Sequence, residues 1–218
     1  AADLAKAHGR NQMYWRAKLL LARIQFEEDN ALHALDYVEE FFTKQDHNAG
    51  PLFYNALILR ADIAFQQEPT NTAWLEQVQA LPITTPLFEA RVLRLSALYH
   101  AASAPHLAEQ EITAAHNIYR HIAFRPGIAS ALTQLSELYK MQERFDEAKE
   151  VGLRAIHVRA WLNDVRHTRQ LLEHLAKVSH LQGKQEWAER ARALAWELRL
   201  EPSLIRSPQV LESLDETK

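Results

Sequence analysis

Residues Ala129–Ala155 read ASALTQLSELYKMQERFDEAKEVGLRA, and the spacing within them decides the fold. Leu132, Leu135 and Tyr139 fall three and four residues apart, which puts them on one face of a helix; Phe145, Ala148 and Ala155 mark the inner face of a second. The same layout recurs 40 residues to either side, in Glu89–Ala115 and Arg169–Ala195. The fourth and seventh positions are apolar each time: Val92 and Leu95, Leu132 and Leu135, Leu172 and Leu175. The eighth is small: Ser96, Ser136, Ala176. The twentieth is Ala108, Ala148 or Ala188, and the twenty-seventh is Ala115, Ala155 or Ala195. Small residues at three fixed places let two antiparallel helices approach closely, and the apolar residues fill the seam between them. A period of this length is the sequence mark of a repeat architecture.

The layout resembles the tetratricopeptide repeat, a recurring hairpin of two helices with large-apolar, apolar-small, aromatic, Ala and Ala positions in that order. The unit Leu132, Leu135-Ser136, Tyr139, Phe145, Ala148, Ala155 matches best and departs at Gly152, where a large apolar residue is usual. The unit at Glu89 keeps Tyr99 and Ile112. The unit at Arg169 carries Gly183 in its inter-helix turn but Ser179 and Arg192 where larger apolar groups would sit. Looser copies surround Trp15, Leu21-Ala22 and Ala34, and then Leu57, Ala61 and Ala80. The resemblance implies an all-α fold, a right-handed α-α superhelix (solenoid) of about five antiparallel hairpins over residues 1–200, with 201–218 as a C-terminal tail carrying a short helix. Spacing of 40 rather than roughly 34 residues implies longer helices or loops, as in the long-repeat variety of the family.

Composition agrees. Ala and Leu supply 64 of 218 residues, Val and Ile only 18 and Gly 5, which favours helices over strands. Breaks fall at Asp29-Asn30, Asn71-Thr72, Thr85-Pro86, Ser103-Ala104-Pro105 and Pro126-Gly127. They predict helices near 4–27, 30–43, 51–67, 72–80, 86–102, 105–123, 127–141, 144–160, 164–182 and 185–199. No Gly- or Ser-rich linker divides the chain, so one elongated domain is expected, ending after Glu201-Pro202 in a frayed acidic tail around Pro208.

Several function classes drop out. The absence of Cys removes disulfide scaffolds, zinc ribbons, iron–sulfur sites and thiol nucleophiles. A net charge of −3 gives no field for gathering phosphate backbones, so direct nucleic-acid binding is not expected. No apolar run reaches the roughly 18 residues a membrane span needs. The chain lacks an initiating Met and a secretory leader, which reads as a processed form or a fragment of something longer; the cytoplasm is the expected compartment, with the periplasm as the alternative for a processed fragment.

Catalytic motifs are missing as well. There is no GxSxG, GxGxxG or GxxxxGK[ST]. Eleven His raise the question of a metal, but no two lie at i, i+4, and only His167 and His174 share a helical face, two turns apart. Glu27-Glu28 and Glu39-Glu40 point about 100° apart on a helix and read as solvated. The expectation is therefore no catalytic residue, no metal and no cofactor.

The resemblance supplies the functional surface, because in such a solenoid the first helix of each hairpin lines a concave groove. That face would carry Arg16, Arg23, Asn55, Asp62, Leu93, Arg94, His100, Thr133, Glu137, Lys140, Glu173, Lys177 and His180. Relatives that grip terminal carboxylates use an ordered clamp of basic residues and Asn. Here Ala90 and Thr133/Glu137 replace parts of it. The expectation is a non-catalytic scaffold that binds a protein or peptide, in the setting of a sensor or regulatory repeat domain of a larger protein. The alternatives are a self-associating assembly subunit, such as a homodimer, and an all-helical enzyme.

Overall fold

A computed structural model describes residues 2–28, 30–44, 50–207 and 214, and the side chains of these other than residues 2–10. All regular structure among the described residues is helical: α1 (Ala2–Glu27), α2 (Ala31–Lys44), α3 (Pro51–Gln67), α4 (Ala73–Gln79), α5 (Pro86–His100), α6 (Pro105–His121), α7 (Arg125–Met141), α8 (Phe145–Trp161), α9 (Val165–Leu181), α10 (Gln185–Leu200), and one 3-10 turn, Pro202–Arg206. Every end lies within two residues of its expected place. The short helix expected after Glu201 is that 3-10 turn, which packs on α10 through the buried Ile205. Asp29 and, apart from Leu214, the acidic end from Pro208 onward lie outside the described residues.

Two compact units result, Ala1–Tyr99 and His100–Lys218. The division falls inside Glu89–Ala115, which the 40-residue alignment treats as one repeat.

The second unit is built on a shorter metric than the sequence alignment revealed. Helices α6, α7, α8 and α9 are each 17 residues long and each is followed by a three-residue link. The backbone turns into the left-handed region at Ala123 (φ 52°), Glu143 (φ 59°), Asn163 (φ 58°) and Gly183 (φ 75°), at steps of 20 residues. At each, the amide two residues past the helix cap reaches back to the same carbonyl of the last turn: Phe124 to Tyr119, Arg144 to Tyr139, Asp164 to Arg159 and Lys184 to Ser179, all at 2.9 Å. This is the Schellman ending, which satisfies orphan carbonyls and folds the chain back within three residues.

The small residues do what their spacing implied. Ala108, Ala115, Ala148, Ala155 and Ala188 are wholly buried and Ala195 nearly so; Ser96, Ser136 and Ala176 are buried with them. Gly152, the departure from the repeat pattern, stands where α7, α8 and α9 converge: a Cβ there would come within 2.5 Å of Leu175 Cδ2 and 3.0 Å of Ser136 Oγ. Its missing side chain is replaced by those of its neighbours.

The first unit is richer in aromatics. Trp15, Leu19, Ala34, Val38, Phe41, Leu59 and Ile63 fill the seam of α1, α2 and α3, and Tyr54, Leu57, Leu75, Val78, Phe88, Leu95 and Tyr99 fill that of α3, α4 and α5. Trp15 meets Phe41 edge-on at 5.5 Å and Tyr54 stacks on Phe88 at 4.7 Å. The Tyr99 hydroxyl donates to the Ala61 carbonyl at 3.0 Å, which ties α5 to α3. At the Thr85-Pro86 break, the Thr85 hydroxyl accepts from the Phe88 amide at 3.2 Å. Ser103 does not cap α6, because the cap position is Ala104 and its side chain has no acceptor.

Candidate binding surface

In the first unit, α1, α3 and α5 share a face, and a recess of about 220 Å³ opens there. Its floor is apolar, with Leu19 and Leu20 from α1 and Leu52, Ile58 and Leu59 from α3. Its rim is cationic: Arg16 and Arg23 from α1 and Arg91 from α5, with Asn55 between them and no carboxylate in the lining. Asn55 Oδ1 accepts from Arg91 Nη1. Arg16 is exposed and has no ion-pair partner among the described residues.

Asp62 lies behind this rim, only 5% exposed. It accepts from Arg23 Nη1 at 3.0 Å and from Arg94 Nη2 at 3.1 Å. A buried carboxylate needs such partners. Asp62 and Arg94 therefore brace Arg23 from within the fold, and the surface they support is Arg16, Arg23, Asn55 and Arg91. Arg91 escaped the sequence reading because it falls between Ala90 and Leu93, off the register expected to face the groove.

In the second unit, two of the expected groove residues, Thr133 and Glu137 of α7, line a small cavity of about 80 Å³ together with Arg159, His167, Gln170, Leu171 and His174. Arg159 comes across from α8 with its side chain 8% exposed. It donates to Thr133 Oγ1 at 3.1 Å and to Asp164 Oδ2 at 2.7 Å. Asp164 is the one side-chain cap seen in this unit's described helices: its Oδ1 accepts from the His167 amide at 3.2 Å and meets His167 Nδ1 at 2.8 Å. Burial works to raise the Asp164 carboxyl, but His167 and Arg159 outweigh it and hold it at about 2.

His174 shows the opposite kind of dependence on its surroundings. Burial, with the charges of Lys140 and Lys177, presses its imidazole down to about 4. Its Nε2 lies 3.2 Å from Ser136 Oγ. Glu137 keeps a solvent-exposed edge, yet the cavity walls remove enough water to push its carboxyl up, against Lys140 and Arg159. A raised carboxyl beside a neutral imidazole is the kind of pair an acid–base catalyst would use. The space beside it, about 80 Å³, has room for only a few waters and falls well short of the roughly 300 Å³ at which small-molecule sites begin.

The remaining expected positions are dispersed. His100 Nδ1 pairs with Glu111 Oε2 at 2.8 Å. His180 is exposed, with Nδ1 2.8 Å from Gln185 Oε1. Glu173 and Lys177 are exposed and Leu93 and Lys140 half-buried. His167 and His174, linked in the sequence only by helical phase, prove to line one cavity. Among the described residues no group of three His, Cys, Asp or Glu is arranged to hold a metal ion, and no helix is long and apolar enough to cross a membrane.

No protein-family model, no curated protein and no solved structure matches the chain.

Proposed function

We propose that this chain is a non-catalytic binding module of the tetratricopeptide kind, a right-handed superhelix of helix hairpins whose first-helix face takes a peptide or protein surface. The observation that carries the reading is the recess of the first unit, where an apolar floor lies under a rim of three arginines and no carboxylate. Apolar side chains buried on that floor would supply free energy, and the guanidiniums would set register by pairing with carboxylates. A sensor or regulatory repeat domain of a larger protein is the setting such a module suits. The all-helical and repeat-like architecture supports the reading.

The test is selection from a random peptide-display library against the full chain, followed by anisotropy titration of the enriched peptides. Enrichment of acidic residues beside Leu-like residues is expected, with roughly tenfold or greater weakening by Arg16→Glu. Enriched peptides that bind Arg16→Glu as tightly as the unaltered chain would remove the recess from the account. Arg16 is the residue to change, because Arg94 is held by the buried Asp62 and altering it disturbs the fold.

One observation favours a second reading, self-association through the first helix pair. Met13, Leu20, Leu21 and Ile24 on α1 and Leu32 on α2 are 70%, 61%, 47%, 40% and 71% exposed. Apolar exposure gathered on one helix pair is the signature of an interface. Light scattering across a concentration series decides it: a dimer mass that Leu21→Lys with Ile24→Lys abolishes supports this reading, and a monomer mass at every concentration ends it.

A further inference from the structure

The opening turn of α10 faces α8 across an open recess of about 530 Å³ in the second unit. Lys149 lines it from α8, and Gly183, Lys184, Gln185, Glu186, Trp187 and Arg190 line it from the turn and from α10. Three of these side chains are cationic and one is a carboxylate.

Lys149 is the unusual member. It is 8% exposed, and its ammonium sits 4.1 Å from the centre of the Trp187 ring. It has no hydrogen-bond acceptor and no ion-pair carboxylate among the described residues. Lysines buried to this degree are ordinarily paired. Burial, followed by the charges of Lys184 and Arg190, works to lower the Lys149 ammonium, and Asp146 offsets this only in part.

The surroundings add positive potential. Lys184 occupies the cap position of α10, where no side chain accepts from the first amides. A cation at a helix N-terminus opposes the helix dipole, whereas an anion there would be favoured by dipole and amides together. Lys184 does pair with Asp146 at 3.0 Å, but the Asp146 side chain is 85% exposed, and such surface pairs are weak and readily exchanged. The Trp187 indole is fixed by its Nε1–H, which donates to the Leu214 carbonyl at 3.2 Å, so its ring forms a rigid wall.

We propose that this recess is a phosphate-binding site, taking the phosphoryl group of inorganic phosphate or of a phosphate monoester against Lys149, Lys184 and the first amides of α10. A phosphate has oxygens enough to accept from Lys149, Lys184 and the amides of α10 at once, where the two oxygens of a carboxylate ligand would leave donors unused. The volume leaves room for a substituent on the phosphate. The site belongs to the second unit, and the proposal does not depend on the peptide surface proposed for the first.

Isothermal titration of the full chain with inorganic phosphate, O-phosphoserine and acetate tests the proposal. Phosphate and phosphoserine are expected to bind and acetate to bind at least roughly tenfold more weakly. Tighter binding of phosphoserine identifies an ester as the ligand class; equal binding identifies phosphate itself. Lys149→Met, which preserves packing on Trp187, should weaken both phosphates roughly tenfold or more with no fall in the thermal midpoint. Lys184→Gln, at an exposed position, should weaken them by a smaller factor and covers the case in which the Lys149 variant misfolds. Lys177→Gln, on another face, should change nothing. Phosphate binding no tighter than acetate, or unaltered by both Lys149→Met and Lys184→Gln, overturns the assignment.

Discussion

The Ser136 hydroxyl donates to the Ala148 carbonyl at 2.6 Å, joining α7 to α8 at the point where Gly152 lets both approach α9. Two residues of the repeat pattern, small in the sequence for reasons of space, turn out also to be stitched together. Gly152→Ala must push its methyl into Leu175 and the Ser136 hydroxyl. It is expected to cost about 1–3 kcal/mol by overpacking, more than the gain in helix propensity returns. Ser136→Ala adds no bulk and removes only this bond and the Oγ contact to His174 Nε2, and should cost about 1 kcal/mol. Urea denaturation of the two variants checks the order.

The Asp62 cluster predicts a ranking. Asp62→Ala takes the carboxylate away from Arg94, 17% exposed, and Arg23, 35% exposed, and empties the pocket beside them. We expect a loss of roughly 2–4 kcal/mol, below the range for fully buried pairs because both arginines reach water. Arg94→Met should cost less and Arg23→Met least, since each leaves Asp62 one partner. Equal midpoints for all three in chemical denaturation would refute the bracing role.

His174 gives the protein an acid-sensitive seam. Its imidazole titrates near 4 when folded, against an ordinary value of about 6.5, so protons bind the unfolded chain first. The stability tied to neutral His174 is complete above about pH 6.5 and drains away as pH falls toward 4, up to about 3 kcal/mol. Denaturation at a series of pH values should show this slope in the parent chain and a shallower one in His174→Gln. Identical slopes would mean that the imidazole is not held neutral.

The four left-handed turns predict stabilising changes. Ala123→Gly relieves a methyl-bearing residue at φ 52° and should gain about 1 kcal/mol; Glu143→Gly should gain comparably, and Asn163→Gly little, because Asn tolerates that region. Gly183→Ala should lose about 1 kcal/mol for the same reason. Thermal midpoints of the four variants measure the series.

Much of this architecture was legible in the chain. Helix positions followed from apolar spacing and from proline and Asn/Asp breaks, and the alanines at matched intervals lie in the seams as expected. The 20-residue half-period was hidden, because Ala123, Glu143 and Asn163 do not announce a left-handed turn as Gly183 does. The face of α1, α3 and α5 was located through Arg16, Arg23 and Asn55, but register alone does not show that Asp62 points inward, nor that Arg91 closes the rim. Likewise, Arg159 and Asp164 reach the His167 and His174 cavity from α8 and from a turn, and proximity between separate elements leaves no periodic trace. Nothing in the local sequence singles out Lys149, since its setting depends on Trp187, Lys184 and Arg190 meeting it from 35 or more positions downstream.

Because each rod from α6 to α9, with its link, consumes the same length of chain, any forty-residue stretch cut between two equivalent joints begins and ends in the same rotational phase. Copying or removing residues 125–164 would therefore bring unlike neighbours together with their seams already in step. This run of helices is built like a rack with evenly drilled holes, and its length could change by whole pairs of rods during descent without any joint needing to be redesigned.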